Sequence, residues 1–262
     1  NGLQRLDQQL RLAYEQGLPG DDDAPGEFTQ YLEWRSEVVL DEDAAGARHY
    51  WQQHLQGADV ELSSPWLAYR DSSGEAAAGT SLLSSALGSS LQSGLRRVSD
   101  ALQQPPALLL QAAWWLLLGR LSGHEQMLVG LRHDSREDYE YFADAVGVFE
   151  RSLPLNLSLP ATTPFDRWLK DLATRLDEHR TWQEYWSPEL APAAALPAYG
   201  FALWRAPRAG TSALHWLPVQ RPLPQANVEL LLQTELDDGE NPLALHLQFA
   251  ASRYSVQAMD GL

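Results

Sequence analysis

The chain has 262 residues, 44% of them hydrophobic, with ten tryptophans and no cysteine. That is enough apolar matter for a sizeable core, and it excludes a disulfide scaffold and thiolate chemistry. A net charge of −16 argues against nucleic acid and against an anionic membrane surface, both of which require a basic face. The single lysine, Lys170, stands among eighteen arginines, a bias that implies no function. Residues 1–17 lack a basic start followed by an apolar stretch, so no signal peptide is expected and a cytoplasmic protein is the default.

In chain order, residues 1–16 place Leu3, Leu6, Leu10, Ala13 and Tyr14 on one helical stripe, stopped by Gly17, Pro19 and Gly20. Asp21, Asp22 and Asp23 read as a solvated acidic loop, because no closing carboxylate frames a hard-metal site. A second helix starts at Phe28 and runs to Leu40, and a third occupies 41–55. Residues 58–79 read as an extended crossover. A strand is expected at 80–87, then an amphipathic helix at 89–102 with Leu91, Leu95, Val98 and Leu102 inward.

The organising stretch is 106–157. Residues 107–118 are apolar apart from Gln111, too short a run to span a membrane, and read as a helix buried on every side. Pro105 and Pro106 open it, and Ser122 and Gly123 close it. A buried strand is expected at 126–131, followed by the polar run 133–140 and a second strand around Leu153, Pro154 and Leu155. Thr163 and Pro164 open a further helix over Phe165, Trp168, Leu169, Leu172 and Leu176. Residues 181–195 are aromatic and irregular. Four strand-length runs follow at 199–204, 213–219, 228–232 and 243–249, with a hairpin turn at Asp237, Asp238 and Gly239. Residues 254–262 read as the start of a helix. The order predicts an α+β fold, a mixed sheet covered by helices.

The spacing Gly130, Arg136, then Val146-Gly147-Val148-Phe149-Glu150-Arg151-Ser152-Leu153-Pro154-Leu155-Asn156 resembles the C-terminal lobe of nonribosomal peptide synthetase condensation domains. Tyr50-Trp51-Gln52-Gln53-His54-Leu55-Gln56-Gly57 resembles a further family helix, and residues 2–10 with Tyr14 resemble the helix that follows the catalytic signature. Two positions depart from the pattern: the family asparagine is Arg151 and its final arginine is Asn156.

The resemblance implies a chloramphenicol acetyltransferase-like lobe at 80–262, a linker at 58–79, and helices at 1–57 left from a preceding lobe. It also implies amide formation between thioesters carried on the phosphopantetheine arms of peptidyl carrier proteins, with no cofactor bound directly. Neighbouring synthetase domains and an N-terminal lobe are the implied partners. That lobe carries the signature His-His-x-x-x-Asp-Gly, and no two histidines are adjacent here, so no catalytic residue is assigned in this chain. The resemblance makes Arg136 a support residue that pairs with the signature aspartate. It makes Asp134, Phe149, Arg151 and Ser152 candidates for the tunnel wall. Two other readings stand beside this one: a non-catalytic platform for adenylation or carrier domains, and a coenzyme A-dependent acyltransferase.

Other clusters carry little. His133, Asp134 and Ser135 have triad letters, but adjacent side chains do not converge as a triad requires. A zinc motif starting at His124 and Glu125 would need a histidine at Leu128. His49 and His54 lie on different faces of one helix, and no metal site is expected. His179, His215 and His246 show no partner in the sequence. Trp114, Trp115, Trp204 and Trp216 read as core.

Overall fold

The computed structural model describes residues 2–17, 26–42, 44–56, 79–190, 197–205 and 229–262. The crossover at 58–78, the acidic loop at 21–23, and the run at 213–219 with His215 and Trp216 lie outside these residues.

Three helices lead: α1 (Gly2–Gln16), α2 (Phe28–Val38) and α3 (Ala44–Leu55). Strand β1 (Thr80–Ala86) follows, then α4 (Ser89–Leu102), α5 (Pro106–Ser122), β2 (Gln126–Asp134), β3 (Glu150–Ser158) and α6 (Phe165–Thr181). The chain continues through β4 (Tyr199–Arg205), β5 (Leu230–Leu236), β6 (Pro242–Ala250) and α7 (Val256–Asp260). The described strands form one sheet in the order β1-β6-β5-β4-β2-β3. The β2–β4 and β4–β5 pairs are parallel and the others antiparallel, giving the mixed α+β architecture that the element order predicts.

Helix α5 has Pro106 at its first position and ends on Gly123 at φ 70°. That left-handed conformation costs glycine little, so the helix stops there. Its residues Leu108, Leu109, Ala112, Trp114, Trp115 and Leu118 are buried. They pack over Met127, Val129 and Leu131 of β2 and their opposite numbers Leu157, Leu155 and Leu153 of β3. Apolar side chains at facing positions of an antiparallel pair reinforce one another. Gly119 lets α5 approach the chain after β3: a Cβ there would overlap Leu159 Cδ1.

Four packing expectations need correction. Helix α5 is not covered on every side: Leu117 and Leu121 are exposed, and Ala113 and Leu117 face a cavity of ≈ 410 Å³ shared with Leu83, Leu245, Leu247 and Met259. Helix α4 buries Ser99, with Leu95 and Leu102 packed against the core, while Leu91 and Val98 are exposed. The contact stripe is 95–99–102, one step round from the one hydrophobicity suggests. On α1, Leu6, Leu10 and Tyr14 are exposed, because the helix is held by polar contacts from Arg5 and Gln9 to Asp144. Phe165 is likewise exposed at the start of α6, although Trp168, Leu169, Leu172 and Leu176 are buried.

The Tyr50-Trp51 pair fixes α3 to the sheet. Trp51 is fully buried in the main core, and its Nε1 donates to the Trp182 carbonyl at 2.9 Å. Tyr50 Oη lies 2.7 Å from His179 Nδ1, and His179 Nε2 lies 3.1 Å from the Pro154 carbonyl. Only an Nε2–H can satisfy that carbonyl, so Nδ1 accepts from the tyrosine and the ring is neutral. At the far hairpin, Asp237 Oδ1 accepts from the backbone of Gly239 and Asn241, holding the turn that carries Glu240 at φ 61°.

Burial, with the nearby His54 adding to it, holds the His179 imidazole down to about 3. The unfolded chain binds a proton near 6.5 and the folded chain does not, so folding stability falls as the pH drops from about 6.5 toward 3, by up to about 1.4 kcal/mol per pH unit. His179→Gln should flatten that slope in urea titrations between pH 7 and 4. Parallel pH profiles for variant and parent would contradict this assignment.

Candidate functional site

The site lies where β2 ends and β3 begins. Strand β2 runs three residues further than expected, to Asp134, and the polar stretch behind it is not solvated: His133, Asp134, Ser135 and Arg136 are all buried. Charged groups withdrawn from water need partners, and the turn after β2 supplies them. The Asp134 carboxylate accepts the Arg136 backbone N–H at 3.2 Å, which caps the short 3₁₀ turn Ser135–Asp138. It also accepts Arg136 Nε at 2.9 Å and Nη2 at 2.6 Å, a two-pronged grip. Arg136 Nη1 donates to the Ala145 carbonyl at 3.1 Å, and the guanidinium lies 5.1 Å from the centre of the Phe149 ring.

Arg136 is therefore no surface charge. Its neighbour Glu137 turns the other way and pairs with Arg205. Phe149 is fully buried with Tyr31, Phe142 and Ala145 in a small aromatic cluster, so its ring belongs to the packing behind the site and not to an open wall. Ser152 is half-buried, opposite Arg132 in the β2–β3 ladder, where Arg132 pairs with Glu150 at 2.7 Å.

Arg151 points to the helix-covered face of the sheet, beside His133 in register. It is neither a solvated loop charge nor an unpaired one. Its Nη2 lies 2.8 Å from Glu184 Oε2 and 2.9 Å from Tyr31 Oη, and its Nη1 donates to the Gln183 carbonyl at 2.9 Å. Tyr31, on α2, donates to the same carboxylate at 2.9 Å and lies 3.0 Å from Ser135 Oγ. Arg35, one helical turn on, lies 3.6 Å from Glu184 Oε2 and donates to the carbonyls of Glu184 and Trp186. Burial raises the Tyr31 phenol above its usual range and lowers the Arg35 guanidinium below its own.

Alongside, His133 Nε2 lies 2.5 Å from Asp138 Oδ2, which also accepts from Gln183 Nε2 at 2.7 Å. Burial pushes the Asp138 carboxyl up, but these hydrogen bonds outweigh it and hold the group below the usual carboxylate range. His133, Asp134 and Ser135 thus serve three separate partners and form no triad. Among the described residues, no cluster of three or more histidine or acidic side chains could hold a metal ion.

The residues that sequence reasoning missed are Glu184, Tyr31, Arg35, Gln183 and Asp138. One signal pointed to them: an arginine within an otherwise apolar strand demands a carboxylate. Nothing in the sequence said that the carboxylate would come from the aromatic segment after α6.

The model of the condensation domain family matches residues 3–197. The chain belongs to the condensation domain family. A chondramide synthase from Chondromyces crocatus is 26% identical over 161 residues, 61% of this chain and 4% of the synthase. A linear gramicidin synthase from Brevibacillus parabrevis is 29% identical over 166 residues, 60% of this chain and 3% of the gramicidin synthase polypeptide. The fold is shared with a solved complex of the X-domain and OxyB from teicoplanin biosynthesis, at a TM-score of 0.74 and 19% identity, over 99% of this chain and 61% of that one. The condensation-type chain thus spans a few per cent of these curated relatives and about three fifths of the solved chain. Among the described residues, no helix is long and apolar enough to cross a membrane.

Glu184 is buried and holds two guanidinium groups. Removing one partner of such a buried pair typically costs about 3–5 kcal/mol, because the other charge is left uncompensated. Arg151→Ala should lose about that much in a urea titration, and Arg151→Ala combined with Glu184→Gln should lose less than the two single losses added together. Strict additivity would show that the pair is not coupled.

Proposed function

We propose that this chain is the C-terminal portion of a nonribosomal peptide synthetase condensation domain. In this reading it supports amide formation between acyl and aminoacyl thioesters held on the phosphopantetheine arms of carrier proteins, and a histidine-bearing N-terminal lobe supplies the proton-handling group. The observation that carries the reading is the family match over residues 3–197, with Arg136 held rigidly at the end of β2. The contribution of this portion is positioning: holding two tethered reactants in one geometry converts a bimolecular step into an effectively unimolecular one.

In this reading a second lobe closes over the end of the β2–β3 pair, where Asp134 and Arg136 bind each other and where Arg151 and Ser152 face opposite sides of β3. Arg136 keeps its orientation through Asp134 whether or not a signature aspartate approaches, so the support it gives is pre-formed.

A second reading, an interaction platform without catalysis, is favoured by Arg151. It takes the place of the family asparagine, and its guanidinium is committed to Glu184 and Tyr31.

The test is product formation with loaded carrier proteins, read by mass spectrometry, for the chain alone and joined to an N-terminal lobe bearing His-His-x-x-x-Asp-Gly. The reading expects no amide from the chain alone and amide from the joined protein. Turnover by the chain alone would contradict it. Carrier binding without turnover in the joined protein would favour the platform.

A further inference from the structure

A second constellation lies on the sheet well away from the loop end of the β2–β3 pair. Ser84 of β1, His246 of β6 and Glu235 of β5 stand on three successive strands, with Ser84 directly opposite His246. Ser84 Oγ lies 2.8 Å from His246 Nδ1, and His246 Nε2 lies 2.7 Å from Glu235 Oε2. The carboxylate accepts the Nε2–H, which leaves Nδ1 as an acceptor for the serine proton. The imidazole is thereby held in the tautomer that a general base requires. It is 6% exposed, with the Trp204 ring edge-on at 5.9 Å, while Ser84 itself is exposed.

The backbone adds a donor. The Leu87 N–H bonds to the Leu243 carbonyl and the Ala251 N–H to the Gly79 carbonyl. Odd-numbered residues of β1 therefore turn their peptide groups toward β6 and even-numbered residues turn theirs outward. Among the described strands β1 is the last in the sheet, so the Ser84 N–H points off its edge beside its own hydroxyl. A nucleophile's own N–H, so placed, can donate to the oxygen of an acyl group bonded at Oγ.

We propose that Ser84 is a nucleophile for activated acyl esters, thioesters included, with His246 as its general base and Glu235 as the residue that positions the imidazole. Ser84 Oγ attacks the carbonyl carbon and its proton passes to His246 Nδ1. The bond to the leaving sulfur or oxygen breaks, and that atom takes the proton from Nδ1. Water then attacks the acyl-serine, again giving a proton to His246, which returns it to Oγ as the carboxylic acid departs. The net change is ester plus water to acid plus thiol or alcohol. It uses none of the groups at the loop end of the β2–β3 pair, so it stands or falls apart from amide formation.

A cross-strand tie with no chemical role would leave Ser84 as inert as any surface serine, and that difference is measurable. The full 262-residue chain is treated with a fluorophosphonate probe and its peptides are mapped by mass spectrometry, with p-nitrophenyl acetate hydrolysis followed in parallel. The expected result is one adduct, on Ser84, and ester hydrolysis lost in Ser84→Ala. Labelling should slow by roughly 100-fold in His246→Gln, the range that a general base contributes. Because His246 is buried, Glu235→Gln serves as the second variant: it should slow labelling about tenfold and move the midpoint of its pH profile. No adduct on Ser84, or equal labelling rates in the parent and Glu235→Gln, would overturn the proposal.

Discussion

The structure turns on a carboxylate out of reach of water. Glu184 sits in a short turn after α6, 3% exposed, and is bound by groups from two directions. Arg151 comes from the sheet; Tyr31 and Arg35 come from α2. A charge so placed is costly unless its partners are fixed, and that cost falls on anything that separates α2 from β3. The aromatic cluster of Tyr31, Phe142 and Phe149 fills the space beside it, and Arg136 lies over Phe149 from the far side. The geometry at the end of the β2–β3 pair therefore follows from one ion network and the rings packed round it.

This arrangement gives the leading helices a physical role. The family resemblance assigns α2 and α3 to a preceding lobe, and both are tied to α6 and the turn after it: Tyr31 to Glu184, Trp51 to the Trp182 carbonyl, Tyr50 to His179. Helix α1 is different. Its contacts to Asp144 are exposed and polar, and pairs of that kind are worth little.

Much of the fold was legible in the sequence. The apolar run with prolines before it and glycine after it could only be a packed helix. Three of the four short runs separated by proline, glycine and aspartate fall on β4, β5 and β6, and the fourth, 213–219, lies outside the described residues. Burial was less legible, because hydrophobicity does not say which face meets a neighbour: Leu91, Val98 and Leu117 point outward although their composition suggests the interior. The site was half legible. The resemblance singled out Asp134, Arg136, Phe149, Arg151 and Ser152; the structure brings Asp134, Arg136 and Arg151 into two neighbouring buried networks and puts Phe149 in the aromatic packing. Their partners Glu184 and Tyr31 lie 33 residues downstream and 120 residues upstream of Arg151, and no local periodicity encodes pairings at that range.

The most direct measurement of the central claim is native-state amide hydrogen exchange on Glu184→Gln. Loss of the carboxylate charge frees Tyr31 and Arg35 but leaves the sheet core of Leu153, Leu155 and Val129 intact. The account predicts faster exchange along α2, with β2 and β3 protected as before. Unchanged protection of α2, or loss of protection across helix and sheet together, would contradict it.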